Sequence, residues 1–288
     1  MTLYSSTKTS VLIPVLMIVI AMISLQVGAA LAKTLFPTIG ASGMTALRLA
    51  IGTLILLVIF KPWRMHLGSD RWPLLVYGIT LGGMNYLFYL ALRTVPLGVV
   101  VALEFTGPLA VAVLSSRRLL DFLWIALAAS GLWLLLPLGG GTGDLDPLGI
   151  LFAIGAGACW AGYILFGKKA GARHGAGTVA MGSLIAALIY CPIGAFFSSS
   201  ALFSSAVLPV GIGVALLSTA LPYSLEMLAL TRLPTRTFST LMSLEPAIAA
   251  VSGILFLNEH LSIAQWLALV FIITASLGTT LSARKSAA

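Results

Sequence analysis

Charge is what this 288-residue chain has least of. Its 16 Lys and Arg and 8 Asp and Glu amount to 8% of the sequence, against about a quarter in an ordinary soluble domain. That is too little polar surface to cover a globule in water, so a soluble enzyme or binding module is excluded. Cysteine is equally scarce. Cys159 and Cys191 are the only two, both inside apolar runs; a disulfide framework or metal cluster needs more ligands at defined spacing, and both are read as small packing residues. The three histidines, His66, His174 and His260, fall between apolar runs. No His-Glu-x-x-His or nucleophile–base pairing accompanies them, which argues against the rival reading of a membrane-embedded enzyme. No metal or cofactor site is expected.

What the chain has instead is apolar length: 59% of its residues are hydrophobic and its mean hydropathy is +1.08. A spanning helix needs about 20 apolar residues. Ten runs qualify, at 11–35, 41–60, 72–93, 96–115, 119–137, 147–169, 176–197, 206–230, 235–256 and 263–283. Runs such as "AIGTLILLVIF" do not alternate as the strands of a membrane barrel must, so the expected fold is an all-α membrane protein. Ala30-Leu31-Ala32 has the small residues of a leader cleavage site. The run before it is long and interrupted by Gln26, and it is read as a retained span.

With ten spans both termini share a side. Thirteen of the sixteen basic residues fall on that side, among them Lys61, Arg64, Arg117, Lys168, Arg232 and Arg236. The opposite side has only Lys33 and Arg93, and Arg48 lies within a span. Such asymmetry in short loops places both termini in the cytoplasm. The formal charge of +8 is spread over every cytoplasmic connection, which suits anionic lipid headgroups as partners and not nucleic acid.

An internal repeat organises the spans. "YLFYLALRTVP" (Tyr86–Pro96) returns as "SLEMLALTRLP" (Ser224–Pro234) at an offset of 138. The register continues through Pro108/Pro246 and Ala112/Ala250, and the two prolines at one spacing carry the comparison. The expected units are 1–138 and 139–288. Five spans is an odd number, so the second unit enters the membrane upside down, and inverted repeats with a site at their interface are a transporter architecture. A channel is the other transport reading, but no filter-like loop is present.

A charge at mid-bilayer costs about 2.5–3.5 kcal/mol on insertion scales, so each one inside a span needs a reason. Glu226 lies near Arg232 and Arg236 and is read as a structural ion pair. Glu104 and Glu245 each stand beside a proline. Proline frees the carbonyl four residues earlier, which for Pro108 is that of Glu104 itself. A freed carbonyl and a carboxylate at one level make a polar spot that lipid does not tolerate and a water-lined cavity does. Arg48, Glu104 and Glu245 are therefore the candidate coupling groups, with hinges at Gly107, Pro108 and Pro246. Asn85 and Tyr89 share a helical face, Tyr223 is the repeat counterpart of Asn85, and Gln26, Trp160 and Tyr163 add further polar or aromatic groups. Together they fit a cavity with apolar walls and a few polar contacts, and are the candidate substrate-binding residues. A zwitterionic amino acid needs both kinds of partner they offer.

The stretches "GGMNYLFYLALRTVPLG", "VALEFTGPLAV", "GAGACWAGYILFGKKAG" and "STALPYSLEMLALTRLPTRTFSTLMSLEPA" resemble the EamA-type branch of the drug/metabolite transporter superfamily. Within it they look like bacterial amino-acid exporters, most of all threonine/homoserine exporters, with aromatic amino-acid exporters as relatives. The resemblance covers nearly the whole chain. It implies an inner-membrane exporter with a central cavity between the halves. It leaves the substrate open, since related scaffolds vary the cavity lining, and another small metabolite or a drug is the alternative cargo. It says nothing of the oligomeric state.

Overall fold

The computed structural model describes residues 6–64, 71–114, 119–135, 145–175, 177–198, 200–230, 241–242 and 244–282. Among the described residues the structure is helical, with no strand. The elements are α1 (Ser6–Thr34), α2 (Phe36–Phe60), α3 (Trp72–Ala91), the short α4 (Leu97–Glu104) and α5 (Thr106–Leu114), and α6 (Leu119–Leu135). Then come α7 (Pro147–His174), α8 (Gly177–Phe196) and α9 (Val207–Ala215). A π-turn at Leu216–Ala220 carries α9 straight into α10 (Leu221–Leu230). The last two are α11 (Glu245–Leu257) and α12 (Ile263–Ser282).

Six stretches are long and apolar enough to cross a membrane: Ile13–Thr34, Phe36–Phe60, Trp72–Ala91, Pro147–Ala172, Gly177–Phe196 and Val207–Glu226. The shorter apolar helices fall inside other expected spans. The all-α membrane fold read from the sequence is thus the fold found. Several helix ends fall up to about five residues from the expected bounds, and one matters for a named residue: α7 runs through Lys168 and Lys169 to His174, which puts His174 in a helix and not in a loop. Basic residues are good helix formers, and a helix has no need to stop where its apolar run ends.

Proline stands in the first turn of α2, α3, α7 and α11, where its missing N–H has no partner to lose. Asp146 caps α7, its Oδ1 accepting the Leu148 N–H at 3.1 Å, as N-cap carboxylates do. At its other side Oδ2 accepts from Thr94 at 2.8 Å. Asn258 ends α11 in the left-handed region.

The helices before residue 138 pack chiefly on those after it. α1 lies on α10 and α11, α2 on α8 and α9, α3 on α7 and α8, α4 on α11, and α6 on α12. Small residues set these approaches, as they do between membrane helices generally. A side chain at Gly98 would meet the Ala250 backbone at 2.6 Å, Gly78 faces Ile185 and Gly182, and Gly162 faces Thr80. Large aliphatic side chains such as Leu54, Val58, Leu188 and Leu255 face outward, the surface a bilayer solvates. Glu259, between α11 and α12, adds a polar tie: it accepts from Lys33 Nζ at 2.7 Å and from the Leu97 N–H at the start of α4 at 2.8 Å.

Candidate functional site

The buried polar side chains gather where α1, α2, α3, α4, the α9–α10 segment and α11 face one another. Gln26 of α1 donates from Nε2 to Glu245 Oε1 at 3.0 Å. Both are almost fully buried. That bond leaves Gln26 Oε1 and Glu245 Oε2 without a hydrogen-bond partner among the described residues.

Arg48 of α2 reaches the π-turn. Its Nε donates to Thr219 Oγ1 at 2.9 Å and its Nη2 to the Ser218 carbonyl at 2.5 Å, while its guanidinium lies over the Tyr89 ring, 5.4 Å from the centroid. From the other side Ser24 of α1 donates to the Leu217 carbonyl at 2.7 Å. A π-turn spoils the regular carbonyl register of a helix, and such turns recur at functional sites; here two consecutive carbonyls are taken by side chains of α1 and α2. Arg48 makes no ion pair with Glu104 or Glu245 within 4.0 Å among the described residues.

Asn85 donates to the Leu81 carbonyl at 2.8 Å and approaches Tyr223 Oη at 3.5 Å. Glu104 is buried and lies within electrostatic reach of both Glu245 and Arg48. The backbone breaks beside the carboxylates are alike: the single turn residue Phe105 follows Glu104, and the turn residue Leu244 precedes Glu245. The carbonyl freed by Pro108 is that of Glu104. It sits against Gly157 of α7, where a side chain would come within 2.7 Å of Glu104 O, and a side chain at Gly107 would meet the Gly157 carbonyl at 1.8 Å. A glycine–glycine approach is what covers the polar spot.

Trp160 and Tyr163 of α7 also have partners that the sequence did not reveal. Trp160 packs edge-on against Phe105, with centroids 5.5 Å apart, and Tyr163 stacks on Tyr77 at 5.0 Å. The structure thus brings Gln26 onto Glu245, Asn85 onto Tyr223 and Arg48 onto Tyr89, with Glu104 nearby, and it sets the two α7 aromatics against rings. Ser24, Ser218 and Thr219 were missed. The only signal for the last two was their place among apolar residues in "LLSTALPY". Arg232 and Arg236, the expected partners of Glu226, lie outside the described residues.

Of the five buried side-chain atoms without a hydrogen-bond partner among the described residues, four belong to this cluster: Gln26 Oε1, Glu245 Oε2, Tyr89 Oη and Ser218 Oγ. A buried unsatisfied group costs about 1–3 kcal/mol, and these four lie on helices that face one another. Two are acceptors and two are hydroxyls that can donate.

Comparison with known proteins agrees with this architecture. Residues 147–281 match the EamA-like transporter family. The threonine/homoserine exporter RhtA of Escherichia coli (strain K12) is 63% identical, over 96% of this chain and 95% of its own length. The protein of the same name from Salmonella typhimurium (strain LT2) is 62% identical, over 98% of this chain and 96% of its own. The uncharacterized transporter YwfM of Bacillus subtilis (strain 168) is 30% identical, over 83% and 84%. A solved crystal structure shares the fold with a TM-score of 0.60 at 23% identity, covering 96% of this chain and 99% of that one. With its spans, its paired helix packing and these relatives, this multi-pass membrane protein belongs to the EamA-like transporter family.

Proposed function

We propose that the protein exports threonine, homoserine and similar amino acids across the cell inner membrane, by alternating access of two inverted halves, 1–138 and 139–288. The observation that carries the reading is the set of four unpaired buried atoms. An ammonium group donates to Gln26 Oε1 and Glu245 Oε2, and a carboxylate accepts from Tyr89 Oη and Ser218 Oγ. A zwitterion thus satisfies all four, as neither a cation nor an anion does. Asn85, Tyr223, Trp160 and Tyr163 complete the walls.

The repeat is supported by the contact between Asn85 and Tyr223. They are equivalents at the offset of 138, and equivalent residues of a two-fold repeat touch only near its axis. The excess of Lys and Arg on one side supports cytoplasmic termini. Helix bending at Gly107-Pro108 and Pro246 would accompany the rocking of the halves, since proline breaks are recognised kink sites.

Glu104 and Glu245 serve as coupling groups in this reading. Substrate ammonium and a proton compete for the same carboxylates, which keeps an antiporter from leaking. The experiment uses proteoliposomes. Wild-type protein exchanges threonine in counterflow and also moves it under a pH gradient. Glu104→Gln or Glu245→Gln, which keeps shape and removes titration, retains counterflow and loses pH-driven flux. Absence of threonine counterflow in the wild type overturns the export reading; both variants keeping both activities overturns the coupling role.

A further inference from the structure

A cavity of about 410 Å³ lies away from the central cluster, where the start of α2 meets the ends of α3 and α8. Its walls include Phe36, Gly40, Ser42, Tyr86, Arg93 and Phe197. Small-molecule sites range over about 300–1,000 Å³, so the space suits a metabolite and not a macromolecule. Gly40 shapes it. Its φ of 72° and ψ of 164° interrupt α2, a backbone conformation that favours glycine, and nothing lies within 4 Å of where its side chain would begin.

The polar side chains of the cavity can all donate hydrogen bonds. Arg93 is exposed and makes no ion pair within 4.0 Å among the described residues. The Ser42 and Tyr86 hydroxyls lie 3.3 Å apart. Among the described residues no acidic side chain lines the space. The acid within electrostatic reach of Arg93 is Asp146, whose oxygens are already engaged by Thr94 and the Leu148 N–H. A guanidinium with free donors binds carboxylates in its planar fork, and aromatic faces attract an ammonium. Phe36 links this space to the central cluster, because its ring packs edge-on against Tyr89 at 5.7 Å.

We infer that the cavity is a second amino-acid site on the exit side, where Arg93 takes the carboxylate and the rings of Phe36, Tyr86 and Phe197 receive the ammonium. The sidedness and the cargo rest on the export reading above. Such a site holds the released amino acid at the outer mouth and sets how strongly external amino acid opposes or exchanges with export. Its affinity is low, since only one charged side chain contributes.

The test follows modification of arginines by phenylglyoxal in nanodisc-embedded wild-type protein, quantified peptide by peptide. Millimolar threonine slows modification of Arg93 severalfold and leaves Arg71, exposed at the other end of the bundle, unchanged. The same protection persists in Ser218→Ala, which removes a donor for the substrate carboxylate from the central site. In proteoliposomes, Arg93→Gln raises the half-saturating concentration of external threonine in counterflow severalfold, keeps that of internal threonine, and is rescued in part by Arg93→Lys. An Arg93 rate indifferent to threonine, or equal slowing of Arg93 and Arg71, overturns the inference, as does an unchanged external half-saturation in Arg93→Gln. Wild-type counterflow in the same preparation reads the export proposal separately.

Discussion

Arg48 is the residue at which a structural and a substrate role separate most cleanly by substitution. It is 3% exposed, donates twice to the π-turn at 2.9 and 2.5 Å and lies over Tyr89. A hydrogen bond involving a charged group contributes about 1.5–3 kcal/mol, and a desolvated cation–π contact about 2 kcal/mol. Lysine carries the charge without the planar fork, so Arg48→Lys reaches one of the two acceptors and leaves the other unpaired. The expected loss is about 2–3 kcal/mol, roughly one such bond. Arg48→Met loses both bonds yet also removes the cost of burying a cation, and apolar replacement of buried charge is often well tolerated. The expected order of stability is therefore wild type, then Met, then Lys. The assay is thermal unfolding in nanodiscs followed by tryptophan fluorescence. Arg48→Lys unfolding with the wild type would refute the reasoning, because the fork on Ser218 and Thr219 would then contribute nothing.

Gly107→Ala is expected to destabilise the protein by about 1–3 kcal/mol or more, as overpacking does, since the added carbon falls 1.8 Å from a backbone carbonyl; Gly171→Ala, with nothing within 4 Å, is the matched control in the same melts. The bonds from Thr94 and then from the Leu148 N–H hold the Asp146 carboxyl below the ordinary carboxylate range. A carboxyl with a depressed folded-state pKa contributes stability above its unfolded value, about 3.9, and loses it as pH falls through the folded value. Asp146→Asn is thus less stable than wild type at neutral pH, and the difference closes as the pH of the melt is taken below about 4.

The sequence was a good guide wherever one residue type has one physical meaning. Apolar length located the six long apolar helices, and prolines at a fixed offset located the paired breaks beside Glu104 and Glu245. Asn85 and Tyr223 were paired by that offset before any coordinates placed them 3.5 Å apart. It was a poor guide to contacts that depend on how helices rotate against one another. The π-turn at Leu216–Ala220 leaves no trace in hydropathy, and without it Arg48 has no evident partner. The freed carbonyl beside Pro108 signalled an open polar spot because Gly157, which covers it, lies on a helix some fifty positions away. Trp160 and Tyr163 are aromatic in any reading; that the rings of Phe105 and Tyr77 would meet them required the packing of α7.

The interleaved packing of early helices on late ones has a consequence for synthesis. Gln26 waits for Glu245, 219 positions downstream; Arg48 waits for Ser218 and Thr219, 170 and 171 positions downstream; Lys33 waits for Glu259, 226 positions downstream. At about 5–20 residues per second of translation, the last of these intervals is on the order of 11–45 s. For most of that time the nascent first half holds an amide and a guanidinium in or beside the membrane with their eventual partners not yet made. The ribosome thus leaves a window in which these groups are open to the insertion machinery, to lipid headgroups and to membrane proteases, and a ribosome stalled before codon 218 releases a fragment whose buried charge has nowhere to go.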